Sequence, residues 1–509
     1  MSSPKKLKLS AESGIEKREL NILDVKLDNL VRIFRFCSSK DRTRLRVVCK
    51  DFFEAFKYSW ADTSRIKTRI LREKNRVHMR YLLKHAGRYL CSLCLKINSA
   101  HVLSILDAVP MCKQLKAICL RNNLDNTDDH IDDDRQYEDK IGEIFNNANG
   151  IELIYLRSFN LSGACFDRIM KPLCITSLKL VNCSGVNGEI IKKFLQGTQN
   201  LERFVVIGST TWNKFNLCVL EGLLFSNCPL MELHLEGGED SFNDDLISQL
   251  FKQKQKLKKI YLSNYVFSYE NIKVFPYFLE LYLKNVKFGI PFITFYRYKF
   301  VNLTRLSLFE CNIDDNILKL IKLAGNLRHL VFAGCSFEIS DGNEGSLENL
   351  EKLYLVDCDG ISESFISEIV KCKKLLSLAY RGCYGVEVVR FLEMIEEILT
   401  LKTLDISDIS PPTIARVDEM SDESRLLINV ISDNKGLVNL DLFNLYFIPI
   451  EFLGYLDNLL FFEDRTINLH WEFACYGFQQ TAPNVELFSK PFKDYTPIED
   501  RCNDFIANK

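Results

Sequence analysis

Apolar residues recur along most of this chain as a triplet: a leucine or similar residue, two variable positions, a second apolar residue, one variable position and a third. The triplet begins at Leu90, Leu115, Ile151, Ile175, Leu201, Leu230, Leu257, Phe278, Leu303, Leu327, Leu350, Leu375, Leu401 and Leu437. Three apolar positions alone recur by chance in a chain that is 47% hydrophobic, but even spacing does not. From Phe278 onward successive starts lie 25, 24, 23, 25 and 26 residues apart, within the period of about 20–29 residues of stacked strand-and-helix units. The fourth and sixth positions are two apart and share one face of a strand, while the fifth points the other way. Between triplets the spacing turns helical. Ile317, Leu320, Ile321 and Ala324 stand at i, i+3, i+4 and i+7, and Ile190, Ile191, Phe194 and Leu195 form a similar stripe. A short strand followed by a helix cannot bury its apolar face alone, so such units must stack on one another.

A cysteine stands three residues beyond the last strand position at Cys183, Cys311, Cys335, Cys358 and Cys383. With it, the chain resembles the leucine-rich repeat family, in particular its cysteine-containing subclass. The resemblance implies an α/β solenoid, a horseshoe whose cysteines turn inward at the bend after each strand. The array is expected over residues 90–446, in about fourteen units. Intervals of 36 residues follow Leu115 and Leu401 and call for insertions. The first, 122–140, carries Asp125, Asp128, Asp129, Asp132, Asp133, Asp134, Glu138 and Asp139. It lacks the alternating ligands, sixth-position glycine and twelfth-position glutamate of a calcium loop, so a solvated loop or an acidic docking segment is expected. The second carries Pro411-Pro412 and 418–423 and reads as a surface loop. Beyond Leu445 the pattern fades; Trp471, Phe473, Tyr476 and Phe478, with Pro483, Pro491 and Pro497, suggest a capping segment over 447–509.

Ahead of the array lie a disordered basic tail (1–19), a helical module (20–62) and a helical linker or N-terminal cap (63–89). In the module Leu27, Leu30, Val31 and Phe34 share one helix face, Ser38-Ser39-Lys40-Asp41 supplies a break and a cap, and Leu45, Val48, Cys49, Phe52, Phe53 and Phe56 resume the helical spacing. About forty residues are too few for a robust core, which points to a module that docks. Ile33-Phe34-x-Phe36, Asp41, Leu45 and Val48-Cys49-Lys50-x-Phe52 make this segment similar to an F-box. Val25-Lys26 replaces that family's Leu-Pro, Asp28 stands for Glu, and Asn29 takes an aliphatic position. The resemblance implies a Skp-type adaptor and a cullin scaffold as partners, with Leu27, Leu30, Ile33, Phe34, Phe36, Leu45, Val48, Cys49 and Phe52 forming the adaptor site. Read without it, the same residues are an amphipathic helical cap on the array.

Composition narrows the function classes. Sixty-six basic and 67 acidic residues give a net charge of −1, which argues against a general nucleic-acid or anionic-membrane binder. The richest apolar stretch, 445–462, is interrupted by Glu451, Asp457 and Asn458 and is no membrane span. Residues 1–10 are polar and basic with no secretory core, so a cytoplasmic or nuclear protein is expected, with Pro4-Lys5-Lys6 and Lys8 as a candidate import patch. The 18 cysteines should then be reduced. Cys91-x-x-Cys94, with His101 or Cys112 further on, lacks the second paired spacing of a zinc site. No phosphate loop or hydrolase motif occurs, so no metal, cofactor or catalytic residue is expected. The outward fifth positions read Tyr155, Lys179, Val205, His234, Tyr261, Tyr282, Ser307, Val331, Tyr354, Ala379, Asp405 and Asp441. With flanking strand sites they offer Tyr155, Arg203, His234, Tyr261, Tyr282, Arg305, Phe309, Tyr354 and Arg381 as anchors for a protein substrate on the concave face, although aromatic residues suit strands in any case. The resemblance implies the substrate-recognition subunit of a Skp–cullin–F-box ubiquitin ligase, acting by proximity and not by chemistry of its own. The other expectation is an interaction scaffold with no ubiquitin role.

Overall fold

A computed structural model describes residues 25–61, 65–67, 76–97, 106–107, 109–122, 134–147, 150–169, 172–208, 213–236, 244–267, 277–288, 300–339, 347–409, 421–442, 445, 448, 451–463, 465–470 and 485–488. The chain divides into two compact units, residues 1–190 and 191–509.

The first unit opens with three short helices, α1 (Leu27–Phe36), α2 (Ser39–Leu45) and α3 (Lys50–Tyr58). Ser38 caps α2: its Oγ accepts from Asp41 N at 3.2 Å and donates to Asp41 Oδ2 at 2.6 Å. Leu30, Val31, Phe34, Phe52, Ala55, Phe56 and Trp60 make the core of the module, with edge-to-face pairs Phe34–Phe52 and Phe56–Trp60, each at 5.5 Å. Phe56 also meets His85, at 5.4 Å, on a fourth helix, α4 (Arg76–Ala86). The segment between module and repeats is not wholly helical, because Arg65–Lys67 forms a strand beside Ser92–Ile97. That strand pairs in turn with Ala117–Asn122, then Leu153–Arg157, then Ser177–Val181, all parallel.

The first insertion is shorter than expected. Residues 134–140 belong to the helix Asp134–Asn147, and 123–133, with Asp125, Asp128, Asp129, Asp132 and Asp133, lie outside the described residues. Glu138 does not face solvent. Its carboxylate accepts from Ser162 N and Oγ, both at 2.9 Å, and from Cys165 N at 3.2 Å, capping the short helix Ala164–Asp167.

Among the described residues of the second unit, twelve strands of one sheet follow one another in parallel: Arg203–Ile207, Glu232–Glu236, Lys259–Ser263, Glu280–Lys284, Arg305–Phe309, His329–Ala333, Lys352–Val356, Ser377–Arg381, Thr403–Asp405, Asn439–Asp441, Ile467–His470 and Val485–Phe488. Helices such as Asp315–Lys322 and Glu363–Val370 return the chain between strands, and Asp314 and Ser362 cap them by accepting from Ile317 N (2.8 Å) and Phe365 N (3.3 Å). All fourteen triplet starts are buried, none more than 4% exposed. Each unit is therefore a stack of strand-and-helix repeats, a solenoid in construction.

The stack does not stop at 446. By register Leu469, opposite Leu440, fills the fourth position of a further strand, and Leu487, opposite Leu469, the fourth of another. Three residues before these stand Thr466 and Asn484, polar where the triplet needs an apolar start. The second insertion, 411–420, is outside the described residues; Ser421 caps the helix Asp422–Asp433.

Ten of the described bends share one backbone conformation. The residue just past the strand has positive φ: Ser158, Asn182, Gly208, Asn264, Asn285, Glu310, Gly334, Asp357, Gly382 and Asp408 lie between 48° and 68°. Its amide reaches the carbonyl ending the next strand, as in Asn285 N to Phe309 O and Glu310 N to Ala333 O, both 2.8 Å. In five of them the next residue is a buried cysteine, Cys183, Cys311, Cys335, Cys358 or Cys383. Cys311 Sγ donates to Phe309 O at 3.2 Å, Cys358 to Val356 O and Cys383 to Arg381 O, both at 3.3 Å. A small side chain with a weak donor fits this bend without leaving a polar atom unsatisfied.

Candidate functional site

The nine module residues expected to meet an adaptor separate into two sets. Leu30, Phe34 and Phe52 are at most 4% exposed and are spent on the module's own core. Leu45 and Cys49 are half-buried. Leu27, Ile33, Phe36 and Val48 are open to solvent at 39%, 43%, 93% and 55%, joined by Val47 and Tyr58. The exposed set sits on a scaffold organised by Arg42, whose importance the sequence pattern did not flag. Its guanidinium lies 4.9 Å from the Trp60 ring and donates to Cys37 O (3.0 Å), Ser59 O (2.7 Å) and Arg35 O (2.7 Å). One cation thus satisfies carbonyls at the ends of both α1 and α3, where the helix dipole favours positive charge.

In the second unit the sheet face opposite the helices carries three rows, from the first, middle and last residues of each strand. The middle row is not the exposed surface that the alternation suggested. His234, Tyr282 and Tyr354 are 8%, 5% and 7% exposed, and only Tyr261 among these aromatic residues is half-buried. Strands about 4.8 Å apart bring successive flat rings into contact: His234 stacks on Tyr261 at 4.9 Å and Tyr261 on Tyr282 at 4.1 Å, with planes 11° and 10° apart. Burial raises the hydroxyl pKa of both tyrosines. Tyr155, in the first unit, is 1% exposed, with the Arg121 guanidinium 5.2 Å and the Lys179 ammonium 5.4 Å from its ring.

The row of first residues is the more accessible one: Arg203, Glu232, Lys259, Glu280, Arg305, His329 and Lys352 are register neighbours in turn, and charge alternates as far as Arg305. Arg203 and Glu232 pair at 3.6 Å and Lys259 and Glu280 at 2.8 Å. Arg305 donates to the Tyr282 hydroxyl at 3.1 Å and lies 2.8 Å from His329 Nδ1. Burial, then Arg305 and Lys352, lower the pKa of His329, so the neutral imidazole accepts from Arg305. In the last row Phe309 and Arg381 are partly exposed, and Arg381 pairs with Asp408 at 2.7 Å. The surface thus presents charge and the edges of aromatic rings, with the ring faces hidden.

No protein-family model and no curated protein matches the chain. Among solved structures it is similar to a chain of the yeast Rad7 and Elc1 complex, at 14% identity over 91% of this chain and 93% of that one, with a TM-score of 0.38. It is also similar to the TLR13–ssRNA13 complex, at 17% identity over 70% and 56% of the two chains, with a TM-score of 0.38. A third is the leucine-rich repeat ectodomain of the receptor kinase GASSHO1/SCHENGEN3 from Arabidopsis thaliana, at 13% identity over 76% and 40%, with a TM-score of 0.30.

Among the described residues no group of three or more His, Cys, Asp or Glu side chains is placed to hold a metal ion. Cys91 lies just before the strand Ser92–Ile97 and donates to Tyr89 O at 3.8 Å, whereas Cys94 is inside it. An apolar gap of about 20 Å³ among Leu281, Leu283, Leu306 and Leu308 is water-sized and has no polar lining. Among the described residues, no helix is long and apolar enough to cross a membrane.

Proposed function

We propose that the protein is the substrate-recognition subunit of a Skp–cullin–F-box ubiquitin ligase. The N-terminal module docks the adaptor, and the repeat stack holds a target protein. The observation that carries this reading is the division of apolar residues in the module. Its core is complete with Leu30, Val31, Phe34, Phe52, Phe56 and Trp60, yet Leu27, Ile33, Phe36, Val47 and Val48 remain exposed on a segment of fewer than forty residues. Exposed apolar side chains of this density mark a surface awaiting a partner, and Leu27, Ile33, Phe36 and Val48 lie at positions where F-box resemblance puts adaptor contacts. For the target, the accessible rows favour Arg203, Tyr261, Arg305, Phe309 and Arg381 over the buried His234, Tyr282 and Tyr354.

The test is co-purification. The full-length protein is expected to recover a Skp-type adaptor and a cullin, and the double variant Ile33→Asp, Phe36→Asp to lower adaptor recovery at least about tenfold with the thermal unfolding of the repeats unchanged. Absence of adaptor, under conditions where another F-box protein recovers it, would leave an interaction scaffold with a helical cap.

A further inference from the structure

Cys94 and Cys119 occupy the same middle-row position on adjacent strands and are register partners. Neighbouring strands run about 4.7–4.9 Å apart, inside, but near the short end of, the Cα separations of about 4.4–6.8 Å that a disulfide spans. The thiol of Cys94 donates to that of Cys119 across 3.2 Å. The cysteines of the bend are also neighbours in their row; each thiol there is held by the carbonyl oxygen two residues back, and Cys358 shares further hydrogen bonds with Cys335 and Cys383. Cys94 and Cys119 lie within strands, where the facing cysteine takes the proton. Both are reduced and buried, 4% and 0% exposed.

We propose that Cys94 and Cys119 are a redox modification site, a dithiol that an oxidant of the peroxide class converts to an intramolecular disulfide. One thiolate attacks a peroxide oxygen; the O–O bond breaks, and a sulfenic acid and one water result. The second thiolate attacks that sulfur, the S–S bond forms, and the hydroxide that leaves takes up a proton as the second water. Two electrons pass from the sulfurs to hydrogen peroxide, and two thiols become one disulfide. The hydrogen bond shared by the two thiols, which is lost if both ionise, and then burial hold the Cys119 thiol protonated, so the reaction is slow and waits on local opening of the sheet. The bond joins residues 25 apart and ties the first two strands of the triplet series.

The experiment treats the full-length protein with hydrogen peroxide, denatures it under alkylating conditions and maps its peptides without reduction. The expected result is a Cys94–Cys119 linked peptide, about 2 Da lighter than the sum of its reduced halves and lost on treatment with dithiothreitol. Cys94→Ser, folded by circular dichroism, should abolish it. Complete alkylation of both cysteines after peroxide overturns the proposal, as do sulfinic acids at either without the link, or links confined to the cysteines of the bend.

Discussion

At the residue scale the bend after each strand dictates composition more strictly than the core does. A backbone at φ near +50° disfavours most side chains, by roughly 1–2 kcal/mol, and asparagine, aspartate or glycine stands there in most repeats. Gly385 is under a harder constraint. Its φ of +130° lies outside any well that an L residue favours, and a Cβ there would collide with the carbonyl oxygen and amide of Ile361 in the preceding repeat. Gly385→Ala should therefore lower stability by about 2–4 kcal/mol, measured by urea unfolding. Gly325 is the control: a Cβ there meets nothing within 4 Å, and Gly325→Ala should stay within about 0.5 kcal/mol of the parent. Equal losses at both positions would show that the bend is not the cause.

At the element scale the module separates folding from binding on a single helix. Phe34 and Phe36 of α1 are two residues apart, but one is 0% and the other 93% exposed. Phe34→Ala should cost about 3–5 kcal/mol and melt the module, whereas Phe36→Ala should leave its helical signal intact; circular dichroism of the full chain with proteolysis of 25–61 distinguishes them. Helical spacing made the inward face of α1 legible, because three of the four residues it grouped are buried. It could not show that Leu27, on the same stripe as Leu30, stays exposed, since that depends on how α3 crosses α1. The repeats were legible for a related reason: fourth and sixth positions must be apolar wherever a strand backs onto a helix. The strands near 467 and 485 carry no triplet signal because Thr466 and Asn484 are polar at its first position. The middle row was misread because alternation says which face a residue takes and is silent about stacking between neighbouring strands. The left-handed row had a signal in its Asn, Asp and Gly residues, one that triplet spacing does not use.

At the scale of the whole molecule, two compact units need not unfold together, and their buried titratable groups give them different responses to acid. In residues 1–190, His85 packs against Phe56, and burial, followed by Lys84, Arg46, Lys57 and Arg88, lowers its pKa. Its contribution is present above the unfolded value of about 6.5 and is lost as pH falls through the lowered folded value. In residues 191–509, His329 acts in the same sense, but Asp405 opposes it. That carboxyl is 1% exposed and accepts from Ser407 N at 2.9 Å and Oγ at 2.5 Å; burial and the adjacent Asp441 push its pKa up to about 7. Its stabilisation is complete below the unfolded value near 4 and is lost as pH rises through about 7, on the order of 4 kcal/mol by pH 8. Between pH 8 and 5.5 the second unit therefore gains from Asp405 while it loses through His329, whereas the first has only the loss at His85 among these three groups. Hydrogen exchange, corrected for its intrinsic pH dependence, should show protection falling in 1–190 and holding in 191–509. In Asp405→Asn, which removes the opposing carboxylate, protection should be higher in 191–509 at pH 8 and fall with acid as in the first unit. An equal fall in both units of the parent protein would mean that Asp405 does not set the response of the second.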